Sequence, residues 1–268
     1  MKGNTDKLLI LKDILKECRG AVLSFSGGVD STFLARVARD VLGGRLLAVT
    51  VFSAIHPQRE LKEAQTIAQQ LGLKHLVIAS GELSNEKFVA NPPDRCYHCK
   101  KEMFRLLQDI ACQHDLSRVL DGSNFDDQFD HRPGMQAADE LGIISPLREA
   151  GLTKENIREL SREMGLPTWN KPSFACLASR FPYGERITVE KLGMVEEAED
   201  YLRSLGINIF RVRHHGNLAR IEVPHEDFSR IIGRTADINE KLCAIGYRYV
   251  TLDLKGFRSG SMNEIFKK

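Results

Sequence analysis

The sequence predicts an α/β fold, with a parallel-sheet, Rossmann-like domain followed by a smaller C-terminal α+β domain. Over the first two thirds of the chain, short apolar runs alternate with stretches of helical periodicity, as in βαβ units. After about Phe181 the order changes to a helix, two short strands, a helix and a strand. We therefore expect domains at residues 1–180 and 181–268, with the boundary within residues 179–186.

In the first domain, continuous apolar runs predict buried strands, and apolar residues spaced by three and four predict helices. The first helix, for example, places Phe33, Leu34 and Val37 on one face. Parallel sheets bind ligands at the carboxyl ends of their strands, so the loops that follow the strands are the candidate sites. The predicted strands cover residues 21–25, 46–52, 75–79 and 118–121, and the predicted helices cover residues 31–42, 59–71 and 100–112.

In the second domain, the alternation of Arg211 and Arg213 along a short strand places both side chains on one face. Two neighbouring guanidinium groups can form a fork for a phosphate. The same pattern also fits an edge strand that carries charges against aggregation. His214 and His215 are predicted to be surface residues. The predicted helices cover residues 188–205 and about 226–245, and the predicted strands cover residues 208–214, 218–223 and 247–254.

The composition excludes several classes of protein. The 268 residues carry 38 basic and 36 acidic side chains, a net charge of +2, which argues against a protein built to coat nucleic acid. No apolar run approaches the length of a membrane span, and the N-terminus lacks the order of a signal peptide. We expect a cytoplasmic protein whose cysteines stay reduced, so that clustered cysteines indicate metal binding or catalysis.

The most informative motif is Ser-Gly-Gly-Val-Asp-Ser at residues 26–31, between the first predicted strand and its helix. Two glycines allow a tight turn whose N–H groups approach a phosphate, and the helix start adds further donors. The hydroxyl groups of Ser26 and Ser31 can also donate to phosphate. Asp30 cannot bind phosphate directly, so we assign it to a magnesium ion that bridges phosphates. A plain glycine-rich turn with a capping side chain is the alternative.

This hexapeptide resembles the SGGxDS signature of the PP-loop superfamily of ATP-cleaving enzymes. Residues 121–127 (DGSNFDD) resemble the second motif of that superfamily, and residues 144–148 (ISPLR) resemble the segment that follows it. The resemblance implies that ATP is cleaved to AMP and pyrophosphate. The residues that it implies at ATP and pyrophosphate are Ser26, Gly27, Gly28, Asp30, Ser31, Ser53 and Gly122.

A longer match covers residues 165–167 (GLP), 171–180 (KPSFACLASR) and 182–185 (PYGE). It resembles the LarE group of sulfur transferases, whose members add sulfur to the carboxylates of a pyridinium biscarboxylate mononucleotide for the nickel-pincer cofactor of lactate racemase. The resemblance implies Cys176 as the catalytic cysteine beside Asp30, and Arg211 and Arg213 near the substrate phosphate. It also implies a small mononucleotide substrate, sulfide or another sulfur donor, and a homo-oligomer.

Cys96 and Cys99 form a CxxC pair, which alone fits structural zinc, a redox pair or chance. Because the family fold would bring Cys176 to the same site, we expect the three thiolates to hold a 4Fe–4S cluster whose open iron carries sulfide. Zinc, with His98 or another histidine as the fourth ligand, is the alternative. The pair departs from family members that consume the sulfur of a single cysteine. The three other cysteines are expected to be small core residues: Cys18, Cys112 and Cys243.

Four further polar residues in the matched motifs are predicted at the rim of the site, namely Asp126, Lys171, Arg180 and Glu185. Other functions remain open. A tRNA-thiolating enzyme would also use a PP-loop, but the chain lacks extra CxxC pairs and a strongly basic domain. An amide-forming PP-loop ligase would need an ammonia source, and a regulator would bind nucleotide and metal without turnover.

Overall fold

The computed structural model describes residues 2–129, 133–172, 174–258, 260, 261 and 264. The contacts divide the chain into two compact units. Unit 1 comprises Met1–Glu82 and Asp94–Phe174, and unit 2 comprises Leu83–Pro93 and Ala175–Lys268. Unit 2 therefore includes residues 83–93, which the sequence pattern assigns to the first domain.

The helices of the described residues are, in chain order, α1 (Lys2–Glu17), α2 (Val29–Leu42), α3 (Gln58–Gln70), α4 (Glu86–Val89), α5 (Arg95–Gln113), α6 (Pro133–Glu140), α7 (Pro146–Glu149), α8 (Lys154–Glu163), α9 (Val189–Ser204), α10 (Phe228–Ile232) and α11 (Thr235–Ile245). The strands are β1 (Ala21–Ser24), β2 (Leu46–Phe52), β3 (Lys74–Ala79), β4 (Arg118–Leu120), β5 (Arg211–His215), β6 (Leu218–Glu222) and β7 (Tyr249–Leu252). None of these helices combines the length and apolar character that crossing a membrane requires.

Unit 1 is built on a parallel sheet with the strand order β3-β2-β1-β4. Val22 of β1 pairs with Leu47 on one side and Val119 on the other. Successive strand residues point to opposite faces of the sheet, so the unit has two cores. Leu23 packs with α1 and α2, whereas Val22 packs with α5. This sheet between helical layers confirms the predicted fold class.

Unit 2 is built on a mixed sheet in which β5 and β6 are antiparallel and β6 and β7 are parallel. Leu202 of α9 and Leu242 of α11 share its core with Val212 of β5. The segment 83–93 joins this unit by hydrogen bonds. The Asn91 side chain donates to the Pro182 carbonyl at 2.6 Å, for example. The α+β character predicted for the C-terminal part is therefore present.

The sequence analysis did not predict α4, α6, α7 and α8, and three further differences concern α1, α5 and the pair α10 and α11. No helix is predicted before β1, but α1 is present and buries Leu11 and Leu15. The helix predicted at 226–245 is divided into α10 and α11 at Gly233, a residue of low helix propensity. Helix α5 begins at Arg95 rather than at residue 100, immediately after the prolines at 92 and 93. The CxxC pair therefore lies within the first two turns of a helix.

Candidate active site

The Ser-Gly-Gly-Val-Asp-Ser motif at residues 26–31, here called the phosphate loop, joins β1 to α2 in unit 1. Phe25 still pairs with the sheet, since its N–H donates to the Val49 carbonyl at 2.9 Å, and α2 begins directly after Gly28. Gly27 has φ of +67°, and a Cβ built there would lie 2.9 Å from the Ala64 Cα of α3. Both the dihedral angle and the lack of space therefore require glycine at this position.

The two hydroxyl groups of the motif are bonded to each other and to the loop backbone. The Oγ atoms of Ser26 and Ser31 lie 3.1 Å apart. Ser31 Oγ also accepts from the Ser26 N–H at 3.3 Å, and Ser26 Oγ accepts from the Gly28 N–H at 3.3 Å. These bonds hold the loop in its turn.

The second motif lies beside the first, as expected for loops at the carboxyl ends of neighbouring strands. A Cβ built on Gly122 would lie 3.3 Å from the Ser31 N atom, so this glycine allows the loop after β4 to approach the start of α2. Asp121 anchors the second loop, because its carboxylate accepts from the hydroxyls of Ser123 at 2.6 Å and Ser145 at 2.7 Å.

Asp30 stands in the first turn of α2 and accepts a hydrogen bond from the Asn124 amide at 2.9 Å. Burial raises the pKa of Asp30, the Asn124 hydrogen bond partly offsets this, and the nearby Asp127 charge raises the pKa further. A desolvated carboxylate next to a second carboxylate favours a bound cation. Asn124 is absent from the residues that sequence reasoning singled out, although it lies within the second motif.

Ser53, at the carboxyl end of β2, has its hydroxyl bonded to the buried carboxylate of Glu82. Ser53 Oγ also lies 3.4 Å from the Ile55 N atom, which donates to it. A nearby imidazole, His56, has its pKa lowered by burial. A nucleotide that binds the Ser53 hydroxyl would therefore have to replace Glu82 as its hydrogen-bond partner.

Lys171, the first residue of the matched segment 171–180, contacts the phosphate loop within unit 1. Its ammonium group donates to the Gly27 carbonyl at 3.3 Å and pairs with Glu60 at 2.9 Å and Glu63 at 2.7 Å. Burial lowers the pKa of Lys171, but the two carboxylates outweigh it and the net pKa is raised. The lysine is therefore charged and in contact with the loop. No sequence pattern indicated its two glutamate partners.

The CxxC pair lies on the first two turns of α5 in unit 1, with Cys96 exposed and Cys99 half-buried. His98, the alternative zinc ligand, is paired with Asp94 at 3.3 Å. Within the part of the chain that the structure describes, no group of three or more His, Cys, Asp or Glu side chains is arranged to hold a metal ion.

In unit 2, half-buried Cys176 directly precedes a short 3₁₀ turn, Leu177–Arg180. The Arg180 side chain is completely buried and forms a bidentate ion pair with Glu199, at 2.8 and 2.9 Å. The prediction that Arg180 lies at the rim is therefore wrong, because its charge is neutralised inside the unit. Glu199 lies on α9, distant in sequence, and no motif pointed to it.

The two arginines of β5 have unequal surroundings. Arg213 is buried, and donates to Glu222 at 2.8 Å and to the Ser179 carbonyl at 2.9 Å. Arg211 is half-buried, with its guanidinium over the Phe257 ring at 5.3 Å from the ring centre. Burial, together with the Arg180 charge, lowers the pKa of Arg211 to about 10. Both remain charged at neutral pH, but Arg213 is held by an internal carboxylate.

The remaining predictions for polar and sulfur-containing residues have mixed outcomes. His214 is buried rather than on the surface, because its ring packs against Tyr247, whose hydroxyl lies 3.2 Å from Nδ1. Cys18 is buried, as predicted. Cys112 and Cys243 are exposed, so their assignment to the core is wrong. They lie on the outward faces of α5 and α11, which apolar spacing alone did not distinguish from the inward ones.

Asp126 and Glu185, the other predicted rim residues, each take part in local contacts. Asp126 accepts from the Lys154 N–H at 2.8 Å, at the start of α8. Glu185 pairs with Lys191 at 3.0 Å and lies 3.3 Å from His214. Each contact lies within one unit, and both side chains support the local fold whether or not a substrate binds nearby.

Sequence comparison supplies the family. The profile of the NAD synthase family matches residues 6–89, a range that contains the phosphate loop. The chain is also 40% identical to the pyridinium-3,5-bisthiocarboxylic acid mononucleotide synthase of Lactiplantibacillus plantarum, over 95% of this chain and 92% of that protein. The chain belongs to this synthase family. The predicted resemblance to LarE sulfur transferases is therefore confirmed.

Two further relatives show how far this similarity extends. An uncharacterized protein of Synechocystis sp. is 45% identical over 98% of both chains. The glutamine-hydrolysing GMP synthase of Aeropyrum pernix is 27% identical over 68% of this chain and 39% of that protein. The Lactiplantibacillus plantarum synthase and the Synechocystis protein therefore match nearly the whole chain, including unit 2. The similarity to the GMP synthase is weaker and covers less of both proteins.

Proposed function

We propose that this protein is an ATP-dependent sulfur transferase that acts on pyridinium-3,5-biscarboxylic acid mononucleotide. It activates a carboxylate as its adenylate, releases pyrophosphate and replaces AMP with sulfur, on the route to the nickel-pincer nucleotide. The observation that carries the proposal is 40% identity along nearly the whole chain to a synthase named for the bisthiocarboxylic acid product. The geometry of the phosphate loop supports the ATP-dependent part.

ATP is needed because a carboxylate is a poor electrophile. A carboxylate oxygen attacks the α-phosphorus of ATP and pyrophosphate leaves; sulfur then adds to the acyl carbon and AMP leaves. In unit 1, the N–H groups of the turn and the hydroxyls of Ser26 and Ser31 would bind pyrophosphate. Asp30 would hold Mg²⁺, which neutralises charge on the leaving pyrophosphate. Ser53 and Gly122 are proposed to line the nucleotide site.

Cys176 is proposed as the residue that brings sulfur to the acyl adenylate. If its own sulfur is transferred, the Cβ–S bond must break and each chain works once. The alternative is a 4Fe–4S cluster on Cys96, Cys99 and Cys176 that carries sulfide. That cluster is supported by the three thiols in the sequence, and no step is assigned to it.

The proposed role of unit 2 is to bind the substrate phosphate. Arg211 is the better candidate, because its guanidinium is half-buried and a bound dianion would raise its lowered pKa again. Arg213 is already paired with Glu222, and we propose that it keeps β5 and the Ser179 carbonyl in place. A homo-oligomer and a cytoplasmic location remain predictions.

The decisive experiment supplies the purified protein with the biscarboxylate mononucleotide, ATP, Mg²⁺ and sulfide under anaerobic conditions. We expect AMP, pyrophosphate and thiocarboxylate in equal amounts, with Cys176→Ala releasing pyrophosphate but forming no thiocarboxylate. Formation of an amide with ammonia would instead favour a ligase, the activity suggested by the similarity to the GMP synthase. ATP cleavage dependent on tRNA would favour tRNA thiolation.

The sulfur source is tested in the same reaction. Multiple turnovers on supplied sulfide, with iron and acid-labile sulfide bound to the anaerobic protein, would support the cluster. Loss of H₂S from the mass of Cys176 after one turnover would support sacrifice of its sulfur. Full activity in Cys96→Ala or Cys99→Ala would exclude a role for the CxxC pair.

A further inference from the structure

The backbone carbonyl of Cys176 is fixed by several hydrogen bonds. Its oxygen accepts three hydrogen bonds: from the Ser179 N–H at 3.0 Å, the Ser179 hydroxyl at 2.8 Å and the Arg180 guanidinium at 3.1 Å. Two of these donors are side chains, one of them charged. Backbone bonds within the short turn would require only the first, so the other two are an added restraint on this residue.

The Arg180 guanidinium connects the Glu199 carboxylate of α9 to the backbone around Cys176. One edge forms the bidentate pair with Glu199, and Nη1 donates to the Ala175 carbonyl at 2.7 Å and to the Ser179 hydroxyl at 2.8 Å. The planar fork of arginine makes this bridge possible, because it presents donors on two edges in fixed directions. A lysine could keep the charge near Glu199 but could not reproduce both sets of bonds.

Glu199 is itself fixed from a third direction. Its Oε1 atom accepts from the Val212 N–H of β5 at 3.1 Å. Burial would raise the pKa of Glu199, but the Arg180 charge and hydrogen bonds outweigh it, so the pKa is lowered and the carboxylate stays ionised. Arg213, also on β5, holds the Ser179 carbonyl. The Cys176 turn is therefore tied to both α9 and β5 within unit 2.

We propose that Arg180 is a positioning residue: it fixes the Cys176 peptide, and thereby the direction in which the thiol leaves the backbone, for delivery of sulfur to the acyl adenylate. The proposal rests on the proposed function of Cys176. Once the peptide is fixed, the side chain retains only the rotation about its Cα–Cβ bond. Such orientation matters, since a displacement of about 1 Å at a reacting group can cost about 100-fold in rate.

The test compares Arg180→Lys with the wild type in single turnovers that contain the biscarboxylate mononucleotide, ATP, Mg²⁺ and sulfide. We expect the rate of thiocarboxylate formation to fall about 10- to 100-fold. Pyrophosphate release and the KM values for ATP and the mononucleotide should stay unchanged. Alkylation of Cys176 by iodoacetamide, followed by peptide mass, should become faster because the thiol gains freedom.

Leu242→Ala is the control for a purely structural role. It removes a fully buried leucine of α11 in the same unit and leaves Arg180 and its partners in place. It should lower stability without changing Cys176 alkylation or the rate of thiocarboxylate formation at a temperature where it is folded. A similar loss of transfer in Leu242→Ala would overturn the positioning role, as would unchanged transfer in Arg180→Lys.

Should Arg180→Lys not fold, Ser179→Ala removes the hydroxyl that donates to the Cys176 carbonyl and accepts from Arg180, and it keeps the ion pair of Arg180 with Glu199. It should slow transfer and speed alkylation in the same direction, and wild-type values for both would overturn the proposal. Cys176→Ala separates the two hypotheses. Normal thiocarboxylate formation in that variant would refute the role of Cys176, whereas loss in Cys176→Ala with none in Arg180→Lys would refute only the positioning role.

Discussion

The two units use charged and polar groups in opposite ways. In unit 1 the phosphate loop is made from glycines, short hydroxyl side chains and backbone N–H groups, and burial raises the pKa of its carboxylate Asp30. In unit 2 long side chains form buried ion pairs, and the pKa of Glu199 is lowered. An ionised Asp30 costs stability in the absence of a cation, whereas an ionised Glu199 contributes it.

This difference fits the proposed role of Asp30 in cation binding and a structural role of Glu199. A carboxylate with a raised pKa is poorly compensated and gains from a bound cation. A carboxylate with a lowered pKa is already compensated by its partner. Substitution of Asp30 should therefore mainly change activity, and substitution of Glu199 should mainly change stability.

The largest effect is expected from Glu199→Ala, which leaves the Arg180 charge buried without its carboxylate. Removal of one partner of a buried pair costs about 3–5 kcal/mol. Urea unfolding should show this loss. The control is Glu197→Ala on the same helix, where an exposed pair with Lys241 is removed and the cost should be below about 1 kcal/mol. Equal losses in the two variants would contradict the assigned role of the buried network.

The Arg180–Glu199 ion pair should also make the stability of the protein depend on pH. The folded pKa of Glu199 lies below its ordinary value of 4.5, so its contribution is fully present above that pH. It is lost only as the pH falls below 4.5 and through the lowered folded pKa. The stability difference between wild type and Glu199→Ala should therefore be constant above that value and shrink in more acidic urea titrations. A difference that shrinks only above neutral pH would contradict it.

The next effect is on catalysis. Asp30→Ala should reduce AMP formation about 100- to 1,000-fold. Without the carboxylate, the Mg²⁺ that Asp30 is proposed to hold would no longer neutralise the charge of the leaving pyrophosphate. Since the pKa of Asp30 is raised on folding, its ionised form destabilises the ligand-free protein at neutral pH, and the variant should unfold at an equal or higher urea concentration. Asp40→Ala, an exposed carboxylate on the same helix, should change neither quantity. Near-normal AMP formation in Asp30→Ala would remove the PP-loop chemistry.

The two units also differ in how well the sequence predicts them. The phosphate loop was predictable because its geometry depends on local residues: Gly27 supplies the positive φ and Ser31 lies at the start of the next helix. The unit 2 network was not, since Arg180 meets Glu199 across a gap in sequence that only the fold closes. The alternation in β5 correctly indicated a strand but could not show that Arg213 faces Glu222.

A third prediction separates the two arginines of β5. Arg211→Ala should weaken binding of the mononucleotide by about 1.5–3 kcal/mol if it makes a charge-assisted bond to the phosphate, and should leave ATP binding unchanged. Arg213→Ala should mainly lower the urea midpoint, because it leaves Glu222 buried without this partner. Calorimetric titration with each nucleotide measures the first effect. Loss of ATP affinity in Arg211→Ala would place this side chain at ATP instead.

The smallest effect concerns the phosphate loop backbone and compares two glycines of unit 1. Gly142 has φ of +64° with nothing within 4 Å of the position that a methyl group would take, so Gly142→Ala should cost only the left-handed backbone strain, about 1–2 kcal/mol. Gly27 has nearly the same φ, but its Cβ would meet the α3 backbone at Ala64. Gly27→Ala should therefore cost more than Gly142→Ala by about 1–3 kcal/mol of overpacking. Because any relief must move the loop, ATP affinity should fall in Gly27→Ala alone, and equal ATP affinities in the two variants would show that the loop does not bind the nucleotide.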